Sequence, residues 1–333
     1  MKIGILSAAH HHAAAYLRGL RAIPDAEVLG LADDDAARGA RYAQEFGVPL
    51  FPSYAALLAA RPDAVIVCAE NSKHRPLVEL AAAAGAHVLC EKPLATTLED
   101  GQALVAACAQ AGVRLMTAFP LRFSAPVLEV KARLDAGDLG HVYCCNGTNQ
   151  GQLPARYGAW FVDPALAGGG AVMDHTVHLT DLLRWYLGSE VVEVYAQTNR
   201  IFHADAVAVE TGGLLMLTFA NGVFASLDCS WSKPDNYPTW GGLTFELVTD
   251  RGAVRVDAFK QNLTVHSPAR QRVAWASWAS DADQAMLEEF VAAVRANRPP
   301  AVSGEDGYRA LEVALAAYAS AASGRPVRLP QTR

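Results

Sequence analysis

The stretch Val88-Leu89-Cys90-Glu91-Lys92-Pro93-Leu94-Ala95-Thr96-Thr97 joins an apolar run to a charged, rigid turn. The run from His87 to Cys90 is short, contains a β-branched residue and is followed by charge, which indicates the end of an interior parallel strand. Glu91 and Lys92 would then lie at the carboxyl edge of an open α/β sheet, where ligands bind. Pro93 fixes its own φ and favours an extended conformation at Lys92, so the turn restricts the direction in which the lysine side chain points. An ordinary salt-bridged loop is the alternative that this stretch alone leaves open.

Short apolar segments alternate with alanine-rich helical segments on both sides of that stretch, from residue 2 to residue 118. The predicted strands are Lys2–Ser7, Val28–Ala32, Ala64–Cys68, His87–Cys90 and Arg114–Ala118, with helices near 11–21, 35–46, 74–84 and 97–111. This alternation predicts an α/β fold with a doubly wound parallel sheet, the Rossmann arrangement.

The second half of the chain has a different pattern, with closely spaced β-rich segments and turn signals at Asn221-Gly222 and Asp250-Arg251-Gly252. Strands are predicted at Gly140–Asn149, Val191–Thr198, Gly213–Phe219, Val223–Cys229, Leu243–Thr249 and Ala253–Val256. Helices are predicted at Ala125–Ala136, Asp174–Tyr186, Met286–Asn297 and Asp306–Ala322. We therefore predict a C-terminal α+β domain built on a mostly antiparallel sheet.

Length and composition set the broad class. A chain of 333 residues exceeds what one core usually supports, so we expect two domains, residues 1–120 and residues 121–333. The net charge of −6 gives no basic surface for nucleic acid or anionic lipid. No apolar run has the length of a membrane span or of a signal peptide's apolar region. The six cysteines (68, 90, 108, 144, 145 and 229) lack the spacing of a zinc site or disulfide framework, so we expect a cytoplasmic protein.

The segment after the first predicted strand reads Ser7-Ala8-Ala9-His10-His11-His12-Ala13. In a dinucleotide-binding fold this segment is a glycine-rich turn that holds a pyrophosphate at a helix N-terminus. Here Ser7, Ala9 and His12 stand in the places of the glycines. Backbone N–H groups and the helix dipole remain, and imidazole N–H groups can reach phosphate oxygens, although capping or packing is an equal alternative for each ring. The predicted cofactor contacts in this turn are Ser7, Ala8, Ala9, His10 and His11.

Three polar residues after later strands complete the predicted cofactor site. Asp33 follows the second strand, where a carboxylate can accept from both ribose hydroxyls and repel a 2′-phosphate. This favours NAD, with NADP possible. The alternative is an N-cap for the next helix, and Asp33 and Asp35 can divide the two roles. Asn71 and His74 follow the predicted strand Ala64–Cys68 and are predicted to face the same crevice, although either alone is more typical of a cap or a surface residue.

Asp174, His178 and Asp181 are spaced by four and three residues on a predicted helix, so they share one face. Oxidising an alcohol requires a base that takes the hydroxyl proton as hydride leaves, and histidine suits this task at neutral pH. We predict His178 as the base, with Asp174 bonding the substrate hydroxyl or fixing the imidazole. Lys92 would stabilise alkoxide charge and Asp181 would orient His178. A helix N-cap at Asp174 with packing histidines is the alternative.

Three more residues are predicted to contact substrate beside Lys92, Asp174 and His178. His175 is the first, and with its neighbours it also resembles a partial set of metal ligands. Hydride donation needs no Lewis acid beside a lysine, so we expect no metal. Arg122 follows the predicted strand Arg114–Ala118 near the crevice, where it would contact substrate or cofactor or brace the domain junction. Trp160 lies in an irregular polar stretch, residues 151–170, of the kind that forms a substrate wall.

These motifs together resemble one known family. The resemblance is carried by Asp33, the Asn71-Ser72-Lys73-His74 turn, the run from Val88 to Ala95, and Gly168-Gly169-Gly170-Ala171-Val172-Met173-Asp174 with His178 and Asp181. It is to the Gfo/Idh/MocA family, named for glucose-fructose oxidoreductase, inositol dehydrogenase and rhizopine catabolism, and it runs nearly end to end. It implies a nicotinamide-dependent oxidoreductase acting on a sugar, cyclitol or related polyol, with Glu91 and Lys92 at the cofactor. The sequence departs from the family's pattern in three places. The glycines of the turn after the first strand are missing, Phe161 stands where relatives often have arginine, and Thr176 stands where they often have glycine.

Two other classes of function stay open at this point. The first is a catalytically silent relative that senses a nucleotide or sugar and acts through a partner protein, and the missing glycines favour it. The second is a metal-dependent lyase or hydrolase that uses bound NAD, with metal at His175 and His178. A broad sheet with one free face commonly pairs with its copy, so we also expect a homodimer or homotetramer. The substrate and the direction of the reaction cannot be read from the sequence.

Overall fold

The computed structural model describes residues 1–259, 262–267, 272–277 and 281–330, the second and third of these ranges by backbone alone. Its described residues form two compact units. The first contains Met1–Pro120, Ala155–Gly168 and Asp283–Leu311, and the second contains Leu121–Pro154, Gly169–Ala282 and the chain from Glu312 onward. The division of the chain into folding domains at residues 120 and 121 stays a prediction. Within the described ranges, no helix combines the length and apolarity needed to cross a membrane.

The first unit is built on a six-stranded parallel sheet with the strand order β3-β2-β1-β4-β5-β6. Its strands are β1 (Lys2–Leu6), β2 (Glu27–Ala32), β3 (Leu50–Phe51), β4 (Ala64–Val67), β5 (His87–Cys90) and β6 (Leu115–Thr117). All five pairings are parallel, which confirms the predicted sheet. The strands are buried on both faces, as helices on both sides require, and Ile3, Ile5 and Ile66 have no exposed surface.

Five helices of this unit lie between or after its strands. They are α1 (His12–Arg21), α2 (Ala36–Phe46), α3 (Tyr54–Ala59), α4 (His74–Ala83) and α5 (Leu98–Ala111), and α2, α3 and α5 begin at a capping side chain. The carboxylate of Asp35 accepts from the backbone N–H groups of Ala37 and Arg38 at the start of α2. Thr97 caps α5 in the same way through Asp100 N. Asp35 therefore takes the capping role that the sequence left open between it and Asp33.

The second unit is built on a seven-stranded sheet with the order β12-β11-β7-β10-β9-β8-β15. Its strands are β7 (Val142–Gly151), β8 (Val191–Asn199), β9 (Gly212–Phe219), β10 (Phe224–Ser230), β11 (Gly241–Thr249), β12 (Gly252–Asp257) and β15 (Val327–Arg328), and β13 (Asn262–Ser267) pairs separately with β14 (Arg272–Ser277). The pair β7 and β10 is parallel and the other described pairs of the seven-stranded sheet are antiparallel. The predicted mostly antiparallel sheet is therefore confirmed.

Helix α8 (Ala171–Leu187) supplies much of the apolar core of the second unit. Leu179 and Leu183 of this helix are wholly buried and belong to one cluster with Leu215 and Leu227 of the sheet. The remaining helices are α6 (Ala125–Asp135), α7 (Pro164–Ala167), α9 (Ala282–Arg295) and α10 (Gly304–Ser323). Helix α8 begins three residues earlier than predicted, at Ala171 instead of Asp174, which places Asp174 inside its first turn.

Candidate active site

The turn between β1 and α1 uses its own backbone N–H groups. Ala8 N donates to Asp33 Oδ2 (2.7 Å), Ala9 N to Ser7 Oγ (3.2 Å), His10 N to the Cys68 carbonyl (2.8 Å) and His12 N to His10 Nδ1 (3.2 Å). Amides that were expected to receive a pyrophosphate are thus already bonded within the protein. Donors for a phosphate at this turn would come from imidazole N–H groups, which agrees with the prediction for His10 and His11.

Ser7 opens this turn in the left-handed region, with φ of 66°. Glycine adopts this conformation at little cost, whereas a residue with a side chain is strained there. The first position of the fingerprint therefore keeps the backbone conformation of glycine although the residue is serine. Its hydroxyl accepts from Ala9 N, a local bond that helps to hold the turn.

The three histidines of the turn pack on one another. Ring centroids lie 4.8 Å apart for His10 and His11, 4.3 Å for His10 and His12, and 4.4 Å for His11 and His12. His11 also stacks on Tyr157 at 4.4 Å. Burial lowers the pKa of His10 well below its ordinary value, so this ring is neutral at physiological pH.

Glu91 links the Glu-Lys-Pro turn to the histidine turn. Its Oε1 accepts from His12 Nδ1 at 2.9 Å and from the Tyr16 hydroxyl at 2.5 Å, and its Oε2 accepts from Lys92 N at 3.1 Å. Burial opposes the charged carboxylate, but His10 and His12 outweigh it and hold the pKa of Glu91 well below its ordinary value. Burial likewise opposes a charged His12, and the carboxylate raises the pKa of that ring. Glu91 is wholly buried and anchors both turns.

The carboxylate of Asp33, which was predicted to accept from ribose hydroxyls, accepts hydrogen bonds from groups of the protein. Its Oδ2 accepts from Ala8 N (2.7 Å) and Arg38 Nε (2.9 Å), and its Oδ1 accepts from Arg38 Nη2 (2.7 Å) and Asp35 N (2.8 Å). A carboxylate has about four acceptor sites, so the protein fills them all. The predicted contact with the ribose hydroxyls therefore requires Arg38 to move. Arg38 Nη2 also lies 2.9 Å from Asp34 Oδ1, and Lys73 Nζ donates to Asp34 Oδ2 at 2.6 Å, so a guanidinium and an ammonium lie beside these two carboxylates.

We expect Arg38→Ala to weaken NADP binding at least about tenfold more than NAD binding, because Asp33 and Asp34 would then repel a 2′-phosphate without a guanidinium beside them. Dissociation constants for both dinucleotides, measured by isothermal titration, test this. Arg41→Ala is the matched control, since Arg41 is an exposed arginine of the same helix. An unchanged ratio of the two constants in Arg38→Ala would remove Arg38 from cofactor selection.

Asn71 and His74 have separate roles. Asn71 Nδ2 donates to the Ala167 carbonyl at 2.9 Å, while its Oδ1 is buried without a hydrogen-bond partner among the described residues. A buried acceptor without a donor destabilises the folded protein unless a ligand supplies the donor. A dinucleotide carries amide and hydroxyl donors. This acceptor at the carboxyl edge of the sheet therefore fits a dinucleotide, and the contact of Asn71 with the cofactor stays a prediction.

His74 does not line the crevice as predicted. Its ring has no exposed surface, and its Nδ1 lies 3.1 Å and 3.2 Å from the carbonyls of Pro93 and Leu94. Nε2 lies 3.2 Å from the Ala69 carbonyl. Burial lowers the pKa of His74, so it is neutral and donates on one side only. The ring braces the Glu-Lys-Pro turn against the loop after β4 and has no face left for a cofactor.

Trp160 lies in the first unit, beside the histidine turn. Its indole N–H donates to the Ala9 carbonyl at 3.1 Å, and its ring stacks on Phe161 at 3.9 Å. Phe161 meets the His10 ring at 5.1 Å. The segment 155–168 thus packs on the predicted pyrophosphate turn, and Trp160 stabilises that turn. Its contact with substrate stays a prediction.

In the second unit, Asp174 is held by aromatic and imidazole neighbours. Trp231 Nε1 donates to Asp174 Oδ2 at 3.2 Å, and His175 Nε2 lies 3.0 Å from the same oxygen without hydrogen-bond alignment. His175 Nδ1 donates to the Asn149 carbonyl at 2.7 Å, which fixes its tautomer. His175 is 1% exposed, and its bond to the Asn149 carbonyl ties α8 to β7. Its predicted contact with substrate stays a prediction.

Arg122 and Asp181 form a buried, two-pronged ion pair. Arg122 Nε donates to Asp181 Oδ2 at 2.7 Å, and Nη2 donates to Oδ1 at 2.6 Å. The ion pair thus lies within the second unit. The predicted contact of Arg122 with substrate or cofactor, and the alternative of a brace at the domain junction, stay predictions. Asp181 was expected to orient His178, and its two oxygens face the guanidinium of Arg122. His178 itself is 6% exposed, on the helix that carries Asp174.

The N-terminus of α8 is capped from a distance. Glu210 accepts from Gly170 N at 3.0 Å and from Val172 N at 3.0 Å, and the Tyr318 hydroxyl accepts from Met173 N at 3.1 Å. Tyr318 in turn donates to Glu210 Oε1 at 2.7 Å. A Cβ on Gly170 would lie 2.0 Å from the Glu210 carbonyl oxygen, so only glycine fits at this position. Two residues far along the chain therefore fix the helix that presents Asp174 and His178.

Glu210→Ala is expected to lower the free energy of unfolding by about 2 kcal/mol, because it leaves N–H groups at the start of α8 without acceptors. Glu210→Gln keeps an acceptor oxygen and should lose less. Urea unfolding measures both. Glu193→Ala, which removes an exposed carboxylate of β8, is the control and should stay within about 0.5 kcal/mol of the parent chain. A loss in Glu210→Ala no larger than in the control would show that the cap contributes nothing.

The first unit has the features of a dinucleotide-binding oxidoreductase. These are the parallel sheet, the turn after β1, and the sheet edge beside Lys92, which carries hydrogen-bond acceptors. Residues 2–119 match the oxidoreductase family with the NAD-binding Rossmann fold, and residues 127–255 match the GFO/IDH/MocA C-terminal domain. The chain belongs to the GFO/IDH/MocA family of oxidoreductases, and its cofactor is NAD(P).

Named relatives agree with this assignment over most of their length. The D-apiose dehydrogenase of Paraburkholderia graminis is 31% identical, over 94% of this chain and 86% of its own. The NADP⁺-dependent D-xylose 1-dehydrogenase 2 of Haloferax volcanii is 31% identical, over 99% of this chain and all of its own. The solved structure of GenD2 from gentamicin A biosynthesis, in complex with NAD, is 25% identical with a TM-score of 0.89 and covers 99% of this chain and 97% of GenD2.

Several supporting residues were missed by sequence reasoning. Arg38 carries a weak signal, since it is an arginine in the first turn of the helix that follows Asp33. The others act across long sequence separations and leave no local pattern. They are Tyr16 beside Glu91, Trp231 beside Asp174, and the pair Glu210 and Tyr318 at the start of α8.

Proposed function

We propose that this chain transfers hydride between NAD(P) and a CH–OH carbon of a sugar, cyclitol or related polyol. The names of its relatives support the substrate class, since they act on D-apiose and D-xylose. The observation that carries the proposal is Lys92, a lysine held with 6% exposure directly after β5 in a turn anchored by Glu91. We infer that its ammonium lies at the carboxyl edge of the sheet, the edge at which dinucleotides bind in this type of fold.

The proposed mechanism divides the work between Lys92, Asp174 and His178. NAD(P), held at the carboxyl edge of the first sheet by groups such as Asn71 Oδ1, would supply the acceptor for the hydride of the substrate carbon. As that C–H bond breaks, His178 takes the hydroxyl proton and the C–O bond becomes a carbonyl. The Lys92 ammonium stabilises negative charge on the oxygen while the proton moves. Asp174, held by Trp231, orients the substrate hydroxyl toward His178. In the reductive direction the same groups act in reverse, with His178 donating the proton.

A substrate panel tests this function. The purified chain is incubated with NAD⁺ or NADP⁺ and with aldoses, apiose and inositols, and the absorbance of reduced nicotinamide is followed. We expect activity with at least one polyol and a rate at least about a hundredfold lower from Lys92→Ala under the same conditions. If the chain binds the dinucleotide tightly but no polyol leads to reduction of NAD⁺ or NADP⁺, the chain is a silent sensing relative and the proposed function is wrong.

We also propose that two copies of the chain pair through the open face of the seven-stranded sheet. Leu214 and Met216 of β9 and Phe224 of β10 are 58%, 45% and 50% exposed on that face, while the alternate residues of these strands pack into the core with α8. A patch of this kind is typical of an interface. Sedimentation equilibrium should give a dimer or tetramer, and Met216→Glu should shift it toward monomer. A strictly monomeric parent chain would end this proposal.

The cytoplasm is the compartment we propose. The six cysteines are free thiols, and five of them are buried, among them Cys68 and Cys229. Burial raises the pKa of both thiols, which keeps them protonated and unreactive. Such thiols are typical of a reducing environment.

A further inference from the structure

The turn from His10 to His12 brings three imidazoles together, and the proposed proton and hydride steps use none of them. One nitrogen from each ring lies within 4.8 Å of the other two. Imidazole nitrogen is a preferred ligand of zinc, nickel and copper ions. We propose that His10, His11 and His12 form a binding site for a transition-metal ion of the zinc class.

The rings need only a small adjustment to reach a metal. Tetrahedral zinc with Zn–N bonds of about 2.0–2.1 Å holds its ligand atoms about 3.3 Å apart. The widest separation, 4.8 Å, must therefore shorten by about 1.5 Å. Rotation about the two side-chain bonds of each histidine supplies a movement of this size without moving the backbone. His11 caps α1 and His12 is its first residue, so the backbone that carries the rings is fixed.

The partner of His12 supports the site independently of the spacing. Metal-binding histidines commonly donate their second ring N–H to a carboxylate, which fixes the tautomer and raises the basicity of the ligand nitrogen. His12 Nδ1 makes this bond to Glu91 at 2.9 Å, and Tyr16 holds the same carboxylate oxygen. The remaining nitrogen of His12, Nε2, is then the one directed to a metal.

His10 is suited to the same task because its ring is buried and packs directly on the other two rings, with centroids 4.8 Å from His11 and 4.3 Å from His12. Coordination through Nδ1 would replace its 3.2 Å hydrogen bond from His12 N, which is a modest loss. The three donors are all nitrogens, and this set favours zinc, nickel or copper over magnesium or calcium, which prefer oxygen.

Metal and dinucleotide would share this turn. If the proposed cofactor site is correct, zinc and NAD must change each other's dissociation constants by the same factor. That consequence rests on the proposed function, whereas metal binding itself does not. The metal is therefore titrated first into cofactor-free protein, so that failure of the metal site and failure of the dehydrogenase proposal give different results.

The test is a titration of the full chain, stripped with EDTA and kept reduced, with Zn²⁺ by calorimetry and Co²⁺ by absorption. We expect one ion per chain, with dissociation constants raised at least about tenfold in His11→Asn and in His12→Gln. His141→Asn, at an exposed histidine of the second unit, and Cys144→Ser are the controls and should bind as the parent does. Circular dichroism confirms that each variant is folded.

Three results would overturn the proposal. The first is no saturable Zn²⁺ binding by the parent chain. The second is equal binding by the parent and by both turn variants. The third is a sulfur-to-cobalt charge-transfer band, which would place the ion on cysteine thiolates. A cobalt spectrum without that band, lost in His11→Asn and kept in Cys144→Ser, is the result that the site predicts.

Discussion

Lys92→Ala is expected to lower kcat at least about a hundredfold, because it removes the ammonium that the proposed mechanism places beside the developing alkoxide. The loss should appear in kcat more than in KM, since the charge it stabilises grows in the transition state. The Lys92 backbone N–H would still donate to Glu91, so the turn should keep its anchor. Steady-state rates with the polyol found in the substrate panel measure the effect.

Two further variants sharpen this result. Lys92→Arg keeps a positive charge with a different shape and should retain more activity than Lys92→Ala. Lys131→Ala, in α6 of the second unit, removes a partly exposed lysine outside the proposed site and should leave kcat within about twofold of the parent. Near-normal turnover in Lys92→Ala would refute the role assigned to this ammonium.

His178→Ala is also expected to lower kcat at least about a hundredfold, with the affinity for NAD largely kept. The base is lost, whereas the dinucleotide contacts proposed for the first unit remain. In the oxidative direction the parent should lose activity as pH falls and the base becomes protonated. This loss of kcat at low pH should disappear in the variant, because the proposed base whose protonation causes it is absent.

A matched comparison uses His141→Ala, at an exposed histidine outside the site, which should keep both the rate and the loss of kcat at low pH. Fluorescence titration of NAD into His178→Ala separates a lost base from a lost binding site. A variant that turns over normally, or one that keeps the loss of kcat at low pH, would show that another group takes the proton.

The strands of the first sheet could be predicted because each is an apolar run that ends at a turn signal. Most observed bounds lie within one or two residues of those predicted, as at β5 and α5. The misses are elements too short to show a period, such as β3 (Leu50–Phe51) and α3 (Tyr54–Ala59). Pairing of β7 with β10 in parallel was also missed, since strand direction within a sheet depends on contacts distant in sequence.

In the candidate site, residue type and chain position could be predicted, and hydrogen-bond partners could not. The motif spacing placed Asp174 and His178 on one helix, and the helix bears both. It did not show that Arg38 donates to both oxygens of Asp33, or that both ring nitrogens of His74 face backbone carbonyls. Such partners depend on which side chains the fold brings together, and a local sequence pattern carries no record of that.

The three glycines before Asp174 show the same limit. They were recognised as part of a motif without a physical reason for their size. The structure supplies the reason, because a Cβ on Gly169 would meet the Tyr318 hydroxyl at 2.0 Å and one on Gly170 would meet the Glu210 carbonyl oxygen at 2.0 Å. The glycines let those two residues reach the N–H groups of α8.

The central claim is that Lys92 and His178 act on the oxygen of one substrate carbinol. A crystal structure of the chain with NAD and the polyol found in the substrate panel tests it most directly. The account predicts that Lys92 Nζ and an imidazole nitrogen of His178 both lie within hydrogen-bond distance of one substrate hydroxyl, whose carbon faces the nicotinamide ring. A complex in which either side chain is turned away from that hydroxyl would contradict it.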